Sequence, residues 1–292
     1  MSASVDVTKA QTTVPKNRPS TLGDYTRYLI ASGFVGFCLF PFYIIISTSL
    51  KSDADIFAWP PVWFFEPTTE NFYNALFVFG GDGIFKYLIN SLIVTGISTV
   101  LAVGLGAMVC YGLTRFKVVA GNHLFFFILS TRFAPPVAFV VPLYLMVQRT
   151  GLMDTHLALI LIYTSMNMSL VVWVMRGFFE AIPIEIEEAA LIDGYSRLQI
   201  FHKVALPLVK PGLITTSILS AIMAWNEFLI ATVMTQNSAA TLPVYLAGFS
   251  GSMGLEWGPY LAVGTLAVAP IMIFTLVLQR HLVRGLTFGA VR

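Results

Sequence analysis

The chain has 292 residues, 57% of them hydrophobic and only 11% charged. A soluble domain carries about a quarter charged residues, so 17 basic and 15 acidic side chains cannot cover a soluble surface of this size. The net charge of +2 leaves no basic footprint for nucleic acid, and the two cysteines, Cys38 and Cys110, both in apolar runs, indicate neither a disulfide framework nor a metal site.

The polar stretch from Met1 to Arg27 lacks periodicity and reads as a disordered tail, residues 1–27. A membrane-crossing helix needs about 20 apolar residues, and six stretches meet that length. The first, Tyr28 to Leu50, is too long for the core of a signal peptide. The second runs from Tyr87 to Thr114, and the third lies near Gly121 to Gln148, interrupted by Arg132. The fourth runs from Thr155 to Met175. The fifth, Pro211 to about Thr235, contains Glu227, and the sixth runs from Trp257 to Gln279. Pro41, Pro135, Pro136, Pro142 and Pro270 fall in or beside these runs. Membrane helices tolerate such breaks where neighbours re-satisfy the freed backbone groups. The expectation is an all-α integral membrane protein with six transmembrane helices, over residues 28–292.

Lys and Arg set the orientation. Thirteen of the seventeen basic residues fall on the side of the two termini, and Lys51, Lys86 and Arg149 fall on the other. Arg132 lies within a span. Both termini are therefore expected in the cytoplasm. The outer loop from Lys51 to Lys86 carries Trp59, Trp63, Phe64 and Phe65. Two readings stand for it: an aromatic belt at the membrane interface, or a docking surface for an outside partner.

The longest inner connection, residues 176–210, has clear helix signals. Pro183 suits a first helical position, and Glu185, Glu187 and Glu188 suit a first turn. Gly194 is a natural stop after Asp193. Ser196 and Gln199 predict a capping box for a second helix, which should end before Pro207. Ala189, Ala190 and Gly194 offer small residues that let another surface approach closely. A plain solvated helical linker would show the same alanines.

Glu188-Ala189-Ala190, then Asp193-Gly194, then Phe201, Val204, Leu206, Pro207 and Pro211, resemble the EAA loop of ABC importer permeases. Ser49-Leu50-Lys51-Ser52, Trp59-Pro60-Pro61 and Glu70-Asn71-Phe72 are similar to the first outer loop of carbohydrate-importer permeases. Trp225-Asn226-Glu227-Phe228 and the ending from Gln279 to Val291 are similar too. Together they resemble the second permease of maltose-type carbohydrate transporters. The resemblance implies the type I ABC importer permease fold in a bacterial inner membrane. It implies a second, homologous permease, two ATP-binding subunits and an extracytoplasmic solute-binding protein as partners, besides membrane lipid. It makes Glu188, Ala189, Ala190, Asp193 and Gly194 the coupling residues toward the ATPase. It also directs the loop with Gly248, Gly251, Ser252 and Gly254 toward the binding protein; an ordinary flexible loop would look the same.

Arg132 and Glu227 are the fully charged residues inside the expected spans. Such residues face the bundle interior or a water-filled cavity. With Asn226 they are candidates for the solute path. The competing reading is structural, with Arg132 capping carbonyls near Pro135-Pro136 and Glu227 bonding a neighbouring span. Tyr144, Tyr163 and Trp225 are either sugar-stacking or packing residues. The chain contains no G-x-x-x-x-G-K-[ST], so ATP is expected on partner subunits and no cofactor on this chain. It also lacks H-E-x-x-H and G-x-S-x-G, and no enzymatic activity is expected. A secondary transporter remains the alternative class, as does an ABC permease for a non-sugar solute such as a sugar phosphate. Secondary transporters usually show internal repeats, and an EAA loop has no role in them.

Overall fold

The computed structural model describes residues 22–78, 83–251 and 254–288. The expected tail therefore lies outside the described residues up to position 21, and its last part, from Leu22 to Arg27, is helical and not irregular. The chain divides into two units, Met1–Ile44 and Ile45–Arg292. In the first, helix α1 starts at Leu22 and runs on to Ser49. It is apolar around its circumference, as a membrane helix is.

Among its described residues the second unit consists of helices, their connecting loops and one hairpin of two-residue strands. Two short turns, Asp53–Ile56 and Glu70–Tyr73, lead to α2, Gly83–Arg115. Then follow α3, Gly121–Ser130, and α4, Pro136–Arg149. Next come α5, His156–Glu180, α6, Ile184–Ile192, and α7, Arg197–Ile200. After these come α8, Lys210–Trp225, α9, Leu229–Met234, and α10, Leu242–Ala247. Strands β1, Ser250–Gly251, and β2, Gly254–Leu255, pair antiparallel before α11, Trp257–Phe288.

Among the described residues four helices are long and apolar enough to cross a membrane, or five if one bent pair counts as a span. The chain is thus an all-α, multi-pass membrane protein. Two expected spans are not continuous. The third divides into α3 and α4, because Pro135 is held extended before Pro136 and the helix must restart there. The fifth divides at Asn226 to Phe228, where α8 ends and α9 begins. A third departure lies upstream of α8. The helix from α7 does not stop before Pro207 but continues to Leu208, through a π-turn at Phe201–Ala205. The Leu206 amide reaches back five residues to the Phe201 carbonyl. That wider turn accommodates a proline whose ring would clash with a regular helical turn. The chain then bends by 79° into α8.

The helices meet through small residues, as membrane helices do. A Cβ on Gly106 of α2 would stand 2.7 Å from Val171 of α5, and one on Gly212 of α8 would stand 2.5 Å from the Phe178 ring. Ser91, Thr95 and Ser98 of α2 and Thr215, Thr216 and Ser220 of α8 are buried as well. At the other end of the unit, Asn71 donates to the carbonyls of Ser49 and Lys51, 3.1 and 2.7 Å away.

Candidate functional site

Two regions gather the residues singled out above. The first is a cleft of about 950 Å³ at the level of the two helix breaks. It is lined by the α3–α4 junction, α5 and the α8–α9 junction, and Arg132, Asn226 and Glu227 all border it. The breaks create it, since each leaves backbone and a polar side chain where a continuous helix would place apolar packing.

Glu227 is held in place by three donors. The Tyr163 hydroxyl donates to it at 2.7 Å, and the amides of Ile230 and Ala231 donate at 2.9 and 3.1 Å. It therefore caps the first turn of α9, where amides without helical partners and the helix dipole favour a carboxylate. Arg132 has looser partners, the Met166 carbonyl at 3.5 Å and the Met223 sulfur at 3.4 Å. The two charges share the cleft without an ion pair between them. Asn226 is exposed and donates to the Ile222 carbonyl at 2.8 Å. Tyr163 and Trp225 are both buried; Tyr163 lines the cleft, and the Trp225 indole donates to the Ala267 carbonyl at 3.2 Å. Tyr144 packs half-buried against the core. The exposed aromatic surface of the cleft comes from Phe127, Phe139 and Phe228. The adjacency of Phe228 to Glu227 was the sequence signal for one of them.

The second region is the basic end of the bundle, built on α6. Its start lies one residue later than expected: Pro183 is the N-cap rather than the first helical residue. Gly194 takes φ +85°, the left-handed conformation that ends a helix at glycine. Ser196 and Gln199 form the expected capping box. Ala190 faces inward and is buried, whereas Glu188, Ala189, Asp193 and Gly194 are exposed. The outward face of α6 also carries Ile184 and Ile192, with Tyr195 and Leu198 beyond the glycine corner. Ile192 is 88% exposed. The inner face holds Glu187, a first-turn acid by position, which is 1% exposed. Its partner is Arg115 at the end of α2, 2.6 Å away.

At the opposite end, the segment after α9 is pinned rather than loose. Asp154 accepts hydrogen bonds from the amides of Gln236, Asn237, Ser238 and Ala239 at 2.9 to 3.2 Å. Burial alone would raise its carboxyl pKa; the four amides outweigh that and bring it down to about 2. Asn90 donates to the Ser238 and Ala240 carbonyls, and the Leu242 amide donates to Ser91. Gly248 caps α10, and Gly251 pairs with Gly254 in the hairpin. Ser252 lies outside the described residues.

Residues 101–288 match the family model described as "Binding-protein-dependent transport system inner membrane component". The trehalose transport system permease protein SugB of Mycobacterium tuberculosis is 38% identical over 261 residues, 88% of this chain and 94% of that protein. The diacetylchitobiose uptake system permease protein DasC of Streptomyces coelicolor is 34% identical over 260 residues, 89% of this chain and 93% of that protein. A crystal structure of a bacterial ABC transporter involved in importing the acidic polysaccharide alginate contains a chain that superposes with a TM-score of 0.73. That chain is 22% identical, and the match covers 90% of this chain and 99% of that one. The last likeness is one of fold.

Proposed function

From the premise that this chain belongs to the family of binding-protein-dependent transport system inner-membrane components, we propose how it works as a permease. It is a carbohydrate ABC importer permease subunit of the bacterial inner membrane, acting with ATP-binding subunits and a solute-binding protein. It supplies no ATP site. In our reading it crosses the membrane six times, with α3 and α4 as one broken crossing and α8 with α9 as another. Both termini are cytoplasmic, and the bias of basic residues supports that orientation. Residues 1–27 precede the membrane, their last part from Leu22 being already the start of α1, and residues 28–292 form the transmembrane domain with its coupling loop at 176–210.

In the same reading, α6 docks on one of two ATP-binding subunits, and a second, homologous permease completes the membrane pathway. Glu188, Ala189, Asp193 and Gly194 meet the ATPase, with Ile184 and Ile192 as apolar contacts, and Ala190 packs the helix inward. Arg132, Asn226 and Glu227 border the solute path, where a sugar's hydroxyls would meet polar groups and its ring faces the phenylalanines. The loop with Gly248, Gly251, Ser252 and Gly254 faces the binding protein. Nucleotide shifts the inward and outward states only through different affinity for the two.

The observation that carries this reading is the outward face of α6, where Ile184 and Ile192 stand exposed among the carboxylates of Glu185, Glu188 and Asp193 on a helix anchored to the bundle. The experiment is purification of the chain with its partners in mild detergent, followed by reconstitution. Glu188→Lys and Gly194→Asp are expected to insert normally and to separate ATP hydrolysis from uptake. Full uptake in both variants, or a chain that carries no ATPase, would refute it.

A further inference from the structure

A helix that transmits force must be fixed to what it moves. The Arg115 guanidinium, whose side chain is 8% exposed, joins three elements. Its Nε donates to Glu187 Oε1 on α6 at 2.6 Å. Its Nη2 donates to the carbonyls of Phe179 and Ile182 at 2.8 and 2.9 Å. Phe179 lies in the last turn of α5 and Ile182 just past its end, so Arg115 binds the end of α5 as well as α6. The second oxygen of Glu187 accepts the Tyr111 hydroxyl of α2 at 2.8 Å. Tyr111 in turn packs edge-on against Phe179 and at a tilt against Phe201, just beyond α7. One buried ion pair with three further hydrogen bonds thus ties α2, α5 and α6 together. A fork of fixed donors holds geometry in a way a single point charge does not.

We infer that Arg115, Glu187 and Tyr111 are positioning residues for coupling: they make α6 move as one body with α2 and α5. The inference rests on the reading that α6 docks on an ATP-binding subunit. Without the joint, α6 would hang on Pro183 at one end and the Gly194 corner at the other. Motion of the ATPase would then swing α6 without moving the spans.

The test uses the full complex in proteoliposomes, with Glu187→Gln, Tyr111→Phe and Arg115→Lys. Arg115→Lys keeps the charge and loses the fork. Solute moved per ATP hydrolysed is expected to fall by about fivefold or more, the size of an ordinary coupling energy, while ATP hydrolysis continues. Spin labels at Glu185→Cys and Lys117→Cys, both exposed, in a Cys38→Ser background, report α6 against the end of α2 within this chain. Their distance should stay narrow with and without nucleotide in the parent and broaden in each variant. An unchanged ratio with narrow distances would overturn the inference. So would failure of all three variants, Tyr111→Phe included, to assemble, which would make the cluster a folding element only. A parent chain without ATPase would defeat the docking reading instead, and the label distances would still decide whether the joint is rigid.

Discussion

Placing a methyl group between α2 and α5 tests the packing on which both regions depend. In Gly106→Ala the new Cβ would stand 2.7 and 2.8 Å from two atoms of Val171, against the 3.4 Å at which ordinary contact begins. Val171 is fully buried and β-branched, so it has no other rotamer to retreat into. The helices must instead part by about 0.7 Å along a close-packed seam. Overpacking of this kind costs about 1–3 kcal/mol. The assay is thermal unfolding of the purified protein in detergent, for Gly106→Ala, Val171→Ala and both together. Val171→Ala alone destabilises by leaving a cavity. In the double variant the two defects compensate, so the pair should cost less than the sum by about 1 kcal/mol or more. A Gly106→Ala protein as stable as the parent would refute the reasoning, and so would strict additivity.

Three further outcomes are expected. Asp154→Asn removes the carboxylate that accepts four amides, at a local cost of about 1 kcal/mol; hydrogen exchange of the 236–239 amides should quicken about fivefold. In the parent, the Asp154 pKa is lowered from its ordinary 3.8 to about 2, so the clamp's contribution is complete above about pH 4 and is lost as the pH falls toward 2. Exchange of the same amides, measured across that range, should follow this course. Arg132→Gln and Glu227→Gln, in assembled complexes, should each lower uptake or solute affinity; unchanged affinity and rate would remove both residues from the path.

What was legible in the sequence was mostly local. Gly194 ends α6 and Ser196 with Gln199 starts α7 because these signals act within one turn of backbone. Hydropathy located the apolar segments but not their breaks. The Pro135-Pro136 pair marked one break, whereas the Asn226-Glu227-Phe228 junction carries no proline and reads as one continuous helix. Pro207 misled in the other direction, since a π-turn upstream let the helix continue. The cleft residues Arg132 and Glu227 stood out as charges in apolar runs, and the structure puts them on one cavity. Glu187 did not stand out as a residue of its own. Its burial depends on Arg115, 72 positions earlier, and no pattern within α6 separates it from the exposed Glu188 beside it.

The central claim is that the exposed face of α6 meets an ATP-binding subunit. Cross-linking tests it most directly. In a Cys38→Ser background, Ala189→Cys on that face is compared with Ala247→Cys, which is exposed at the opposite end of the bundle. With a short bifunctional thiol–amine reagent on the assembled complex, Ala189→Cys should yield a product with the ATP-binding subunit and Ala247→Cys should yield none. A complex that retains its ATPase yet gives no product from Ala189→Cys, or equal products from both sites, would contradict the account.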